Sequence, residues 1–170
     1  MLCTNGEINM PKWGYSVTDL DPEKTTKIAG RELRISPKHA GEICRAIKGM
    51  KLEKAKNFLE QVIAKKTPVP FRRYRKKVAH RHGMQKFSSG RYPTKAAGKI
   101  LKLLQGAEAN AEFKGMDAES LRIIHASAYP GLKLKNYFER AHGRSSPKFE
   151  YLTHVELVLE QTEKSSAEEE

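Results

Sequence analysis

A pair of strand-like segments near the C-terminus, joined by a long connection, most restricts what this chain can fold into. Residues 121–128 form one strand pattern, and residues 149–159 alternate apolar with mostly polar side chains over eleven residues, about twice a typical strand. The twenty residues between them, 129–148, exceed what a sheet of a compact domain needs to close. At about 3.3 Å per extended residue, such arms reach on the order of 40 Å from the body. The pattern therefore predicts a protruding β-hairpin over residues 122–160.

Charge is distributed very unevenly along the chain. Between Glu60 and Glu108 there is no acidic residue, yet that stretch holds thirteen lysines and arginines. The formal net charge of the whole chain is +12. Such a density of positive charge repels itself unless a polyanion neutralises it, and cations that contact phosphate release condensed counterions. We therefore predict that the basic loop, residues 65–92, binds nucleic acid, the alternative being a solvated, mobile loop.

An anionic membrane is a weaker candidate partner for this loop. Interfacial helices need a continuous apolar face, whereas the acid-free stretch between Glu60 and Glu108 contains Pro68, Pro70 and Pro93. No apolar stretch approaches the roughly 20 residues that span a bilayer, and the N-terminus has neither a basic leader nor an apolar signal core. Cys3 and Cys44 share no metal-like spacing, which favours a reduced compartment. We expect a cytoplasmic protein that does not engage a membrane.

Three helices and a strand precede the hairpin. A strand is predicted over residues 27–35, and Ser36-Pro37 then gives an N-cap and a first-turn proline for a helix that ends at Gly49. A second helix covers residues 52–64, and a third begins at Tyr92-Pro93 and ends at Gly115. The predicted buried stripes are Ala40, Ile43, Cys44 and Ile47 in the first helix, Ala55, Phe58, Leu59, Val62 and Ile63 in the second, and Ala96, Ala97, Ile100, Leu101, Leu104, Ala107 and Ala111 in the third.

The domain organisation follows from these elements. We expect one compact domain, which includes the nucleic-acid-binding loop, over residues 14–161. A flexible tail over residues 1–13 precedes it, and an acidic, disordered tail over residues 162–170 follows.

Patterns of catalytic and metal-binding residues are missing from the sequence. The His80-Arg81-His82 cluster has no third ligand at useful spacing, and its arginine disfavours a bound cation. No nucleophile, base or phosphate-binding glycine loop is recognisable. We expect no catalytic residue, no metal, no cofactor and no small-molecule substrate.

A DNA-binding helix-turn-helix is the alternative function. The first two helices have suitable lengths, but the outer face of the second presents Glu53 and Glu60, which would repel a duplex. Because the cations lie in a loop and a hairpin, an irregularly folded RNA fits better than a regular groove.

The residues expected to contact RNA fall into three groups. Their cations engage phosphate, and the aromatic residues Phe71, Tyr74, Phe87 and Tyr92 are able to stack on bases. In the basic loop the group is Arg72, Arg73, Tyr74, Arg75, Lys76, Lys77, His80, Arg81, His82, Lys86, Arg91 and Tyr92. Lys38 and His39 form the second group, at the N-terminus of the first helix, and Lys133, Lys135 and Lys148 form the third, on the hairpin.

Five short motifs then identify a family. In chain order they are Arg34-Ile35-Ser36-Pro37-Lys38, Pro68-Val69-Pro70-Phe71, Gly90-Arg91-Tyr92-Pro93, Arg140-Ala141-His142-Gly143-Arg144 and Thr153-His154-Val155-Glu156. With the long hairpin, they resemble the large-subunit ribosomal protein twenty-two family in its archaeal and eukaryotic branch, over residues 14–161.

The resemblance implies an α+β fold of three helices packed on a small antiparallel sheet, with a long protruding β-hairpin. It also implies a structural role on large-subunit ribosomal RNA, beside neighbouring ribosomal proteins. Carried over by position, Arg140, Ala141, His142, Gly143 and Arg144 form the hairpin tip, which lines the exit tunnel of the nascent polypeptide.

Overall fold

A computed structural model describes residues 14–162, apart from residues 19 and 85. The predicted N-terminal tail over 1–13, with Cys3, lies outside the described residues, and so do residues 163–170 of the predicted C-terminal tail over 162–170. The elements in chain order are β1 (Thr25–Leu33), α1 (Pro37–Ile47), α2 (Leu52–Ile63), β2 (Val69–Pro70), β3 (Gly90–Arg91), α3 (Thr94–Phe113), a 3-10 turn (Ala118–Ser120), β4 (Leu121–Glu139) and β5 (Ser145–Gln161).

The main sheet is antiparallel, with strand order β1-β5-β4. β5 lies in the centre, so that Val155 pairs with Gly30 on one side and Ala128 on the other. The predicted first strand is confirmed but ends at Leu33. There the register shifts, and Glu32 takes a φ of +50°, a combination typical of a β-bulge.

The three helices cover one face of this sheet. Val155, Leu157 and Leu159 alternate along β5 and are fully buried with the apolar stripes of the helices. Cys44 lies in this core, where burial raises the pKa of its thiol to about 12, so it packs as a small apolar side chain. The α+β fold with helices on a small antiparallel sheet is confirmed. Within the described part of the chain, no helix has both the length and the hydropathy of a membrane span.

One prediction about the helices was wrong, and a second is confirmed in position only. Ile63, the last residue of α2, is 37% exposed instead of buried. Ser36 does occupy the N-cap position of α1, but its side chain makes no capping hydrogen bond. Instead, its backbone carbonyl accepts a hydrogen bond from the amide of Ala40, at 2.9 Å.

The long hairpin is confirmed as two continuous strands of 19 and 17 residues. Pairing between β4 and β5 runs to Glu139 and Ser145, whereas β1 leaves the sheet at Thr153. The residues predicted as a connection are therefore a two-stranded ribbon. A bulge interrupts β4 near Gly131, where a β-carbon would lie 2.7 Å from the His154 ring. Glycine at this position lets the backbone of β4 pass close to the His154 ring.

Candidate nucleic-acid interface

The basic loop is anchored by a buried carboxylate of α1. Glu42 is 1% exposed, and its Oε1 accepts hydrogen bonds from the backbone amides of Arg73 (2.8 Å) and Tyr74 (3.4 Å). Its Oε2 accepts from the amide of Arg72 (3.1 Å) and the guanidinium of Arg45 (3.2 Å). Three consecutive amides around one anion form a backbone nest. Glu42 therefore fixes the start of the loop and turns its backbone donors inward.

Further backbone contacts close the loop on itself. Val69 pairs with Arg91 through β2 and β3, and His80 bridges to Ser89. The amide of Arg81 donates to the carbonyl of Ser88 at 2.7 Å. These contacts give the loop a defined path, which argues against the alternative of a mobile, merely solvated segment.

Aromatic rings inside the loop position several of its cations. The guanidinium of Arg72 lies 5.0 Å from the centre of the Phe87 ring, and that of Arg81 lies 5.4 Å from Tyr92. The ammonium of Lys38 lies 5.4 Å from Tyr74. Cation–π contacts of this kind restrict the side chains without neutralising them.

One aromatic residue of the loop does not act as predicted. Phe71 is 2% exposed and packs edge-on against His39, with 5.5 Å between ring centres. It therefore cannot stack on a base, and it belongs to the support of the loop. Burial and the neighbouring Arg91 lower the pKa of His39, so this imidazole is neutral at pH 7.

The predicted cations remain accessible. Those of the basic loop lie exposed, namely Arg72, Arg73, Arg75, Lys76, Lys77, Arg81, Lys86 and Arg91, as do Lys38, Lys133, Lys135 and Lys148. His80, His82 and Tyr74 are also exposed, while His39 and Tyr92 are half-buried. Among the described residues, no three histidine, cysteine or carboxylate side chains come together as a metal site.

The two faces of the hairpin differ in chemistry. Residues directly opposite in an antiparallel pair share a face, and Lys133 pairs with Tyr151 while Lys135 pairs with Phe149. Since the register of β5 is regular, this face lies on the same side as the buried Val155. We call the set Lys133, Lys135, Tyr137, Phe149 and Tyr151 the front face, and the set Leu134, Asn136, Phe138, Lys148 and Glu150 the back face. Glu139 follows the front face at the tip.

The front face begins at a groove beside the helices. This base groove, of about 590 Å³, lies between β5 and the N-terminal ends of α1 and α3. His39 also lines a depression of the basic loop, and Tyr92 lines another. The structure thus brings the basic loop and the front face together in one continuous surface.

The hairpin tip is a tight turn. The amide of Arg140 donates to the carbonyl of Arg144 at 2.8 Å, and the guanidinium of Arg140 donates to the hydroxyl of Ser146 at 3.2 Å. His142 and Gly143 both have positive φ, of 59° and 67°. Histidine tolerates this region better than most residues. All five tip residues are exposed, so the turn displays two arginines and an imidazole at the end of the hairpin.

Sequence reasoning missed four contributors to this surface. Glu42 resembled an ordinary helix carboxylate, although it is the single acid within α1. Arg34 and Lys95 lie on the walls of the base groove, and Tyr151 was interpreted only as part of a strand pattern. The alternation of Tyr151 with Val155 was the available signal, since it places both on one side of β5.

The helix-turn-helix alternative finds no support in the second helix. Glu53 and Glu60 are exposed on α2, as predicted, and the ammonium of Lys56 is engaged with the carboxylate of Glu108. The outer face of α2 therefore presents carboxylates where a recognition helix needs hydrogen-bond donors for phosphates and base edges.

Comparison with known proteins gives a consistent result. The family model described as ribosomal protein L22p/L17e matches residues 28–160. Large ribosomal subunit protein uL22 of Methanocaldococcus jannaschii is 51% identical over 154 residues, which cover 91% of this chain and 98% of that protein. The protein of the same name from Archaeoglobus fulgidus is 50% identical, with 89% and 97% covered. That of Ignicoccus hospitalis is 48% identical, with 91% and 100% covered.

Proposed function

Because this chain belongs to the ribosomal protein L22p/L17e family, in its archaeal branch, we propose that its basic loop and hairpin bind large-subunit ribosomal RNA. The resemblance read from the five motifs is confirmed. The chain is a structural constituent of the large ribosomal subunit in the cytoplasm, and it is not an enzyme. We further propose that the hairpin tip lines the exit tunnel and contacts the nascent polypeptide, and that neighbouring large-subunit proteins are the other partners.

The main support for RNA binding is the continuous cationic surface that the basic loop and the hairpin form. Its arginines are held by rings and by a closed backbone, so less side-chain freedom is lost when phosphate binds. The Glu42 carboxylate at the root of the loop is buried and faces inward, away from phosphate. Counterion release then supplies most of the affinity, which should fall steeply with salt.

Sucrose-gradient sedimentation of a lysate that contains the tagged chain tests the proposal. At moderate salt the chain should sediment with the large subunit, and nuclease digestion of the RNA should release it. A chain found mainly free, or with DNA, would refute ribosomal RNA as the partner.

Deleting the five tip residues, 140–144, should leave the fold intact. All five are exposed and none packs in the core, and the β4–β5 ladder ends just before them. We expect the deleted chain to enter subunits at normal yield, while the stalling of nascent chains that contact this part of the tunnel changes. Subunit yield and ribosome profiling of a deletion strain provide the measurements.

A matched substitution strain separates the two roles of the tip. Replacing Arg140 and Arg144 by alanine keeps the turn and removes two charges. If either change prevents subunits from forming, the tip acts first in assembly, and the division between an anchoring loop and a tip in the tunnel is wrong.

A further inference from the structure

The front face of the hairpin carries three aromatic rings between lysines, and we propose that it binds unpaired RNA nucleotides by stacking their bases on Tyr151 and Phe149. The inference rests on the proposed function, since it assumes that the hairpin contacts RNA. It specifies which face of the hairpin contacts the RNA, and that the contacted nucleotides are unpaired.

The geometry of the rings supports stacking. The Lys133 ammonium lies 4.5 Å from the centre of the Phe149 ring and 5.2 Å from that of Tyr151. Tyr137 meets Phe149 edge-on, with ring centres 5.8 Å apart. Tyr151 is 45% exposed, Tyr137 is 59% exposed and Phe149 is half-buried, so each ring keeps some surface open to a ligand. A lysine between two rings places phosphate-binding charge within reach of stacked bases, the combination that single-strand binding proteins use.

The base groove provides room for a nucleotide beside these rings. Its volume of about 590 Å³ falls within the range of small-ligand sites. Phe149 and Tyr151 form one wall, and Lys95 lies on the opposite side, next to the start of α3. Glu150 pairs within the back face but also lines the groove, and its carboxylate accepts a hydrogen bond from Arg34 at 2.8 Å. Arg34 and Lys95 against Glu150 leave a net charge of +1, which suits a phosphate.

Unpaired nucleotides fit this face better than a duplex does. In an A-form helix the base faces are stacked on one another, so protein rings reach only bases that are splayed out of loops, bulges and ends. A surface that binds the phosphates of a duplex needs cations, and a cluster of three aromatic rings adds nothing to that contact. The ring-rich front face therefore selects for unpaired RNA.

The back face supplies a matched control. Phe138 is 49% exposed, close to the value for Tyr151, and the Lys148 ammonium lies 4.3 Å from its ring. Its neighbours on that face are Leu134, Asn136 and Glu150, and the next rings on that side, Tyr129 and His154, lie nearer the body. Phe138 thus matches Tyr151 in exposure and in its lysine contact, but it lies on the opposite side of the ribbon.

The experiment measures binding of the full chain to two probes, a short single-stranded RNA and a duplex RNA of the same length. Tyr151→Ala should weaken single-strand binding at least about fivefold and leave duplex binding unchanged, because each stacked base contributes about this much or more. Tyr151→Phe, which keeps the ring, should bind like the wild type, and so should Phe138→Ala. Ultraviolet crosslinking of the wild-type complex should place RNA adducts on Tyr151 or Phe149 and none on Phe138.

Each contrary outcome overturns a different statement. If the wild type binds RNA but Tyr151→Ala loses nothing, or loses equally on both probes, the stacking inference fails while RNA binding stands. If Phe138→Ala loses as much as Tyr151→Ala, the assignment to one face fails. If the wild type binds neither probe and no ribosomal RNA, the proposed function fails as well.

Discussion

Reversing three charges of the basic loop, with Arg72→Glu, Arg73→Glu and Arg75→Glu, should nearly abolish binding to large-subunit ribosomal RNA. All three side chains are exposed and lie on the loop that Glu42 anchors. Two unit charges about 4 Å apart interact by about 1 kcal/mol in water, and a reversal replaces attraction by repulsion. Allowing for screening, three reversals should weaken binding on the order of a thousandfold at low salt.

A control variant with the same net charge as the loop variant shows whether RNA binding depends on local phosphate contacts or on the overall charge of the protein. Lys48→Glu, Lys51→Glu and Lys54→Glu change exposed residues at the C-terminal end of α1 and the start of α2, and none of them lines the base groove. Each substitution lowers the net charge by two units, so the formal net charge of both variants falls from +12 to +6. We expect the control to bind RNA several times more weakly at most, because its charges act only through the screened field.

Affinity at two salt concentrations is the measurement that decides between these accounts. The loop variant should also show a flatter salt dependence, since it makes fewer phosphate contacts. Equal losses in the two variants would mean that net charge, and not the loop, drives binding. Thermal unfolding should show both variants folded, since substitutions at exposed positions change stability little.

The parts of the fold that the sequence predicted are those with local causes. The helix α1 follows from Pro37 at its first turn and from an apolar stripe, and Gly49 with a φ of +86° ends it. The hairpin follows from the alternation along β5. Each of these signals lies within a few residues of the element that it specifies.

The parts that the sequence did not predict depend on contacts between distant segments. Glu42 meets the amides of residues 72–74 some thirty positions away, so nothing near it in the chain indicates that it is buried. Phe71 lies among charged residues, yet it packs on His39 of α1. In the hairpin, two bulges in β4 shift its residues relative to β5. Only the observed register therefore shows that Lys133 and Tyr151 share a face.

The second large effect is expected at Glu42 itself. Glu42→Ala removes the acceptor of three backbone amides and of the Arg45 guanidinium, and it leaves a space in the core beside them. Net contributions of hydrogen bonds to a charged group are about 1.5–3 kcal/mol each, but water can partly replace the acceptor at the half-buried amides. We expect the free energy of unfolding to fall by about 2–4 kcal/mol.

Two further substitutions make this expectation specific. Glu60→Ala removes an exposed carboxylate from α2 and should change stability by no more than about 0.5 kcal/mol. Glu42→Gln keeps the size of the side chain and one acceptor oxygen but turns a donating amide group toward one of the backbone donors. The decrease in its free energy of unfolding should therefore fall between the decreases for Glu42→Ala and Glu60→Ala. Denaturant unfolding of the purified chains gives all three values.

Glu42→Ala should also weaken RNA binding, because the same carboxylate fixes the start of the basic loop. Without it the amides of Arg72, Arg73 and Tyr74 should exchange their hydrogens faster, and the loop should have more conformations to lose when RNA binds. RNA affinity should then fall in Glu42→Ala even though the variant is one unit more positive than the wild type. A simple charge argument predicts the opposite sign. Tighter RNA binding by Glu42→Ala, with unchanged amide exchange at residues 72–74, would therefore show that the loop needs no internal anchor.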